Sequence, residues 1–464
     1  MTLNDRSFSR RDFLRSSAAL GGLALFPPVS AAAAAPRVIR QREALASLVG
    51  DVAPQTAVWT YDGTVPGPEL RFKQGGRLRV ELENLLPKDT TVHWHGIRLP
   101  NAMDGVPNLT QPPIKANGGR FLYEFALPDA GTYWYHPHLD SSNQVGRGVY
   151  GPLIIEEPEP PAVDRDLVWV LGDWRLDRRA RVVEDFGNFM DASHAGRIGN
   201  TVTVNGVIRE AFELRAGERI RLRLVNAANA RIFGLDFRGH DPLVIALDGH
   251  PVEPHRPEGG RIVLGPAMRA DVLLDASGEP GRSYTVVDDF YRRRAYRLLD
   301  LRYAKERLHG GRAGAALPKL APNPVSEPDL ARAERHRIDF GGGMMGDMPG
   351  MGMMRGMAWT VNGESMPEHD HEPILKLALG SSYIFDLVND TRWDHPIHLH
   401  GHAFRVISRD GTPAPRREWL DTVLLPAQTR AEIAFVADNP GHWMIHCHIL
   451  EHQESGMMAV VRVA

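Results

Sequence analysis

The chain reads as all-β, built from three consecutive domains of one kind, each a sandwich or barrel. Glycine (45) and proline (35) are plentiful. They punctuate short runs of alternating apolar and polar residues such as Arg77-Leu-Arg-Val-Glu-Leu-Glu83, which is the period of a half-buried strand. The 464 residues exceed what one core holds and call for two to four domains. A unit also repeats. Gly75…Asn84, Gly217…Asn226 and Gly380…Asn389 each set a Gly and an Asn nine apart around an alternating strand. A glycine turn precedes each: Tyr61-Asp62-Gly63, Val204-Asn205-Gly206 and Val361-Asn362-Gly363. Such self-similarity marks tandem copies of one fold.

In order along the chain, residues 1–35 read as an address rather than as fold. Ser9-Arg10-Arg11-Asp12-Phe13-Leu14 resembles the twin-arginine export signal, and an apolar stretch from Ala18 to Phe26 and the run Ala31 to Ala35 follow it. That stretch is too short to span a bilayer. The expected location is the periplasm, or secretion, as a monomer with no membrane span. The domains are expected at 38–157, 158–310 and 336–464, with a linker over 311–335 that is rich in Ala, Pro, Gly and Arg. A formal charge of -3 gives no case for a nucleic-acid partner.

Chemistry enters through histidine. His93-Trp94-His95-Gly96 in the first domain matches His398-Leu399-His400-Gly401 in the third, and His136-Pro137-His138 matches His446-Cys447-His448. The middle domain has Asp236 and Arg238 opposite His398 and His400, and no second pair. It reads as a metal-free spacer, so the outer domains are expected to meet face to face. Histidines two apart on a strand share a face, and four such pairs supply eight imidazoles, enough for three copper ions with positions left open. Cys447, the only cysteine, leaves its strand on the side opposite to His446 and His448. With His395, His452 and Met457 it makes two imidazoles, a thiolate and a weak thioether, the ligand set of a blue-copper site.

Taken together, His93-Trp-His-Gly, His136-Pro-His, His395-Pro-Ile-His-Leu-His400 and His446-Cys-His…His452…Met457 resemble the four copper motifs of the three-domain multicopper oxidases. These are laccase-like proteins built from cupredoxin domains, which are Greek-key β-sandwiches or barrels. Among them the chain is most similar to bacterial periplasmic copper-efflux, or cuprous, oxidases. The resemblance implies four copper ions per chain. His395, Cys447, His452 and axial Met457 would hold one type 1 ion, and His93 and His398 one type 2 ion. His95, His136, His138, His400, His446 and His448 would hold the type 3 pair. It also implies one-electron oxidation of a reductant at the type 1 ion, with electrons passing from Cys447 through His446 and His448 to reduce dioxygen to water. That reduction consumes protons, and Asp104 stands where the family has a carboxylate near the cluster. Where many bacterial relatives carry a proton-relaying glutamate, this chain has Gln453, so Glu451, Glu454 or water is expected to serve instead.

Seven of the fifteen methionines fall in one stretch: Met344, Met345, Met348, Met351, Met353, Met354 and Met357. Interleaved Gly and Pro argue against a helix, and thioethers select Cu(I). The segment 344–357 resembles the Met-rich segments of cuprous oxidases and is a candidate Cu(I) substrate site. Two alternatives are a laccase acting mainly on phenols or aromatic amines beside His395, near Trp393, Asp394 and Asp390, and a non-catalytic relative of the cell-division type. The intact ligand set argues against the second.

Overall fold

Three β-sandwiches follow one another, each made of two sheets whose strands recur in one order. The computed structural model describes residues 35–51, 53–344, 358–366 and 372–464. Met345 to Met357, with nearly all of the methionine-rich segment, and residues 1–34 of the expected export signal lie outside these. Arg37–Ala464 holds together as one unit.

In the first sandwich one sheet runs Thr56–Tyr61, Arg37–Ala46, Arg77–Asn84, Gly119–Ala126, and the other Leu70–Lys73, Gly151–Glu156, Gly131–His136, His93–His95. The third repeats the second of these sheets with Pro373–Leu377, Met458–Val463, Gly441–Cys447, His395–Leu399, and adds Thr422–Leu425 at the edge. The middle sandwich has the same order with Ala211–Leu214, Tyr296–Tyr303, Ser283–Asp288, Phe233–Phe237 and Ile262–Leu264. In each sandwich the repeat strand pairs in parallel with the domain's opening strand.

The repeated asparagine has a clear physical reason. Asn84, Asn226 and Asn389 are all buried, and each ends its strand. The amide Nδ2 of each donates to carbonyls of the loop that follows, and its Oδ1 accepts from the backbone N–H two residues on. One side chain thereby satisfies a buried loop that has no ladder partner. In the third domain that loop carries Trp393 and delivers His395. The turns Asp62-Gly63, Asn205-Gly206 and Asn362-Gly363 all have positive φ at both positions, which suits Asn or Asp followed by Gly.

The alternating strands differ in what they face. Arg77–Asn84 is half-buried, as its pattern predicts. Arg219–Asn226 is buried at every position because its polar face meets the first domain. Arg221 pairs with Glu157 at 2.7 Å and Asp271 at 2.6 Å, and Arg223 donates to Thr132 Oγ1 at 2.8 Å. The stretch around Asn323 crosses the surface and binds two domains: its side chain exchanges hydrogen bonds with Ala130 and donates to Gly249 O.

Candidate functional site

The four histidine pairs converge. His93 lies opposite His136 in one ladder and His398 opposite His446 in another, and each pair sits where its strand runs off the sheet. All eight rings are buried. Sets of ligand atoms within 4.8 Å of one another include His93 with His95 and His136, His93 with His398 and His400, and His138 with His400 and His446. Across the domain boundary, His448 Nε2 lies 3.4 Å from His136 Nε2.

Each ring has one nitrogen tied down or one left bare. His93 Nδ1 donates to Asp104 O at 2.8 Å, His398 Nδ1 to Asp421 O at 2.8 Å, and His446 Nδ1 to Cys447 O at 2.8 Å. His400 Nδ1 donates to Asp104 Oδ2 at 2.9 Å. Such bonds fix the tautomer and aim the other nitrogen inward. That leaves the Nε2 lone pairs of His400 and His446 facing each other at 3.0 Å, an arrangement that repels unless a cation lies beside both. His93 Nε2, His95 Nδ1, His138 Nε2 and His398 Nε2 are buried with no hydrogen-bond partner, a costly state without a ligand. Burial, and then the neighbouring imidazoles, push His136, His138, His400, His446 and His448 well below the ordinary histidine range. The rings are therefore neutral and free to bind metal.

On the other face of the same strand, Cys447 points into the third domain's core. His395 Nδ1 is 3.4 Å and His452 Nδ1 3.7 Å from Cys447 Sγ, and the two nitrogens are 3.1 Å apart. Their outer nitrogens are spent, His395 Nε2 donating to Thr391 Oγ1 at 2.8 Å and His452 Nε2 to His194 O at 2.7 Å. Met457 is fully buried in the same core, and its carbonyl accepts from Cys447 N. Burial pushes the Cys447 thiol up, so the thiolate needs a bound cation to hold it. Bare imidazole nitrogens, a buried sulfur and a thioether-bearing loop fit copper.

Sequence reasoning missed a second carboxylate. Asp421 Oδ1 accepts from His95 Nε2 at 3.1 Å, and Thr422 Oγ1 lies 3.2 Å from His398 Nδ1. The middle domain holds Asp421 in place through Arg269, whose Nη1 and Nη2 reach the two carboxylate oxygens at 2.8 and 2.5 Å. Asp248 Oδ2 accepts from the backbone N–H of Thr422 at 3.1 Å. The middle domain is thus no mere spacer. It braces the histidines of the other two, while its own Asp236 and Arg238 form a surface ion pair at 3.5 Å. Asp104 is more than a turn residue, since it bridges His93 of the first domain and His400 of the third.

Gln453 Nε2 lies 3.4 Å from His138 Nδ1 while its Oε1 is buried without a partner. Turning the amide over lets Nδ1–H donate to Oε1 and leaves Nε2 for metal. Among the described residues, the hydrogen bonds of Glu451 run to Asn229 and Arg197, and those of Glu454 to Ser142. Neither bonds to a cluster histidine.

Multicopper oxidase family models match residues 46–160, 165–305 and 346–464. A multicopper oxidase of Mycobacterium tuberculosis, MmcO, is 32% identical over 97% of this chain and 96% of its own length. Copper resistance protein A of Escherichia coli is 28% identical over 87% of this chain and 89% of its own. The solved multi-copper oxidase of Pseudomonas thermotolerans superposes with a TM-score of 0.80 at 37% identity, covering 93% of this chain and all of that one.

Proposed function

The chain belongs to the multicopper oxidases, and on that premise we propose that it couples oxidation of Cu(I), and of small phenols, to reduction of dioxygen to water. The three sandwiches would be domains over 38–157, 158–310 and 336–464. His395, Cys447, His452 and Met457 would hold the type 1 ion, and His93 and His398 the type 2 ion. His95, His136, His138, His400, His446 and His448 would hold the type 3 pair. Copper, when bound, would supply one-electron oxidation at the first site and, from all four ions together, the four electrons that reduce dioxygen at the other three.

One observation carries this reading. A single tripeptide presents Cys447 Sγ to His395 and His452 on one face and His446 and His448 to the eight-histidine cluster on the other. A short covalent path therefore joins the two ligand sets. The remaining parts are supplied by neighbours. Asp104 and Asp421 are buried carboxylates in contact with cluster histidines; both hold rings, and Asp104, which pairs with no arginine among the described residues, would hand on protons. Trp443, Ile445 and Ile449 are buried around the tripeptide and keep water from it.

Export through the twin-arginine signal would place the protein in the periplasm, as a monomer with a part in copper tolerance. Among the described residues, no helix is long and apolar enough to cross a membrane. The Cu(I) reading rests on the methionine-rich segment. Met344, its first residue, is exposed and is held by Ser193 O of the middle domain, one residue from His194, which caps His452. The phenol reading has its own support in a cleft of about 230 Å³ lined by Trp393, Asp394, Ile449 and Tyr291. The test is oxygen uptake by the copper-loaded enzyme with Cu(I) or dimethoxyphenol as donor, with and without added Cu(II). Deleting 344–357 should cut Cu(I) turnover about tenfold and phenol turnover less than about twofold. Equal losses would overturn the cuprous assignment.

A further inference from the structure

A second cavity, of about 650 Å³, opens in the middle domain and shares Tyr291 with the small cleft beside His395. Its volume falls in the range of small-molecule sites. Ile198, Val202 and Leu298 give it an aliphatic floor, and Tyr291 and Tyr296 give it aromatic walls. Its charge is one-sided: Arg231, Arg292, Arg293, Arg294 and Arg297 line it, and no carboxylate does among the described residues.

Two of these guanidiniums are already engaged. Arg231 pairs with Asp173 at 3.1 Å and donates to Gly199 O, and Arg297 pairs with Asp300 at 2.9 Å. Arg292, Arg293 and Arg294 stand on the loop between strands Ser283–Asp288 and Tyr296–Tyr303, exposed. Their side chains have no hydrogen bond or ion pair among the described residues. Arg392 adds another cation on the wall of the small cleft, where Asp394 is the one carboxylate among the described lining residues. An aliphatic floor with tyrosine walls suits an aromatic ring, and a rim of unpaired arginines suits a carboxylate or sulfonate. Tyr291 lines both cavities, so they adjoin, and a ligand with its anion at the arginines would direct its phenol end toward the Trp393 cleft.

We propose that this arginine-rimmed cavity is the binding site for an anionic phenol, an aromatic carboxylate or sulfonate that serves as reductant. This deepens the phenol reading of the proposed function and rests on it. Each phenol would lose one electron and its hydroxyl proton, released to water, to become a phenoxyl radical. Four such losses balance the four electrons and four protons that convert one dioxygen to two waters. Asp394, beside His395, would accept a hydrogen bond from the hydroxyl, and the arginines would fix the other end.

The test compares syringate with its uncharged methyl ester on the copper-loaded enzyme. Binding is measured by calorimetry without oxygen on enzyme whose copper has first been reduced, so that the phenol is not oxidised, and turnover by oxygen uptake. The wild type should bind syringate about tenfold more tightly than the ester. The triple variant Arg292→Gln, Arg293→Gln, Arg294→Gln should erase that ratio, raising KM for syringate about tenfold with kcat within about twofold. Ester and Cu(I) oxidation should not move. Equal binding of acid and ester by the wild type, or a ratio that survives the triple substitution, would overturn the proposal. If neither Cu(I) nor ester is oxidised, the oxidase reading itself fails, and the anaerobic binding ratio still decides whether the site exists.

Discussion

Replacing Arg269 with methionine removes a guanidinium that is fully buried, out of reach of bulk solvent. Methionine keeps much of the side-chain volume, so the loss is mainly electrostatic. Asp421, itself 1% exposed, loses bonds of 2.8 and 2.5 Å, and Asp248 loses a cation 3.4 Å away. Two buried carboxylates then keep hydrogen bonds from Thr422 and His95 but have no guanidinium between them. Breaking a buried pair from one side costs about 3–5 kcal/mol, and full burial means no discount for solvent screening. The damage would reach the proposed copper ligands because Asp421 Oδ1 accepts from His95 Nε2, and its backbone carbonyl accepts from His398 Nδ1, which also lies 3.5 Å from Oδ1. Losing a partner of that kind weakens metal binding by about 10–100-fold. The assay is urea unfolding beside a copper count, with the blue absorption band and the type 2 resonance signal read on the same sample. The expected result is a lower unfolding midpoint, a depleted type 2 signal and an intact blue band, since Arg269 makes no contact with Cys447, His395 or His452. Pairing the change with Asp421→Asn should cost less than the sum of the two single losses, because both remove one interaction. An Arg269→Met protein with full copper and unchanged stability would refute the reasoning, as would one that lost the blue band and the type 2 signal alike.

Cys447→Ser should abolish the blue colour and oxidase turnover while leaving a type 2 signal, because the eight cluster histidines keep their own positions; a blue or active variant would contradict the ligand assignment. His250 is buried, and burial lowers its pKa to about 4, with Asp129 and Asp421 pulling it up and Arg269 and Arg98 pushing it down. A folded pKa below the unfolded value of about 6.5 gives stability that is full above that pH and lost as pH falls toward 4, about 3 kcal/mol in all. His250→Gln should therefore flatten the acid limb, the gap between wild type and variant narrowing by about 2 kcal/mol between pH 7.5 and 5 in urea unfolding of the copper-loaded protein; parallel pH profiles would count against it.

The convergence of the histidine pairs was legible because strand geometry turns spacing into direction. A His-x-His on a strand can only point both rings one way, and the matched motifs show which domains supply them. The asparagine repeat was legible as a pattern, though not as a loop lock. What escaped was everything set by contact between domains. Asp421 lies in Trp419-Leu420-Asp421-Thr422, with no spacing to tie it to a histidine 326 positions away. A hint was present in the buried-strand pattern of Arg269-Ala-Asp-Val-Leu-Leu-Asp275: a charged residue amid apolar ones needs a buried partner. That partner comes from another domain, and a single sequence does not say which.

The repeat also shows what sets the third domain's proposed electron-accepting site apart from the first domain's copy. Counting back from His398 and forward from His448, the positions of His395, Cys447 and His452 correspond in the first domain to Thr90, Pro137 and Ser142. All three are accommodated without metal. Thr90 is buried and donates to Gln144 Oε1 at 2.8 Å, and Ser142 Oγ donates to Glu454 at 2.5 Å. The third domain at the same places has neutral imidazoles whose outer nitrogens are engaged and whose inner ones face a sulfur. The difference between the first domain's copy and the proposed redox site of the third is therefore not the cysteine alone. A cysteine at 137 would have Thr90 and Ser142 at those two positions, with no imidazole to share a cation, and a buried thiol of that kind stays protonated. Both imidazoles must be present before the thiolate is worth forming, which makes the Cys447 site a three-residue invention on a fold that otherwise repeats itself.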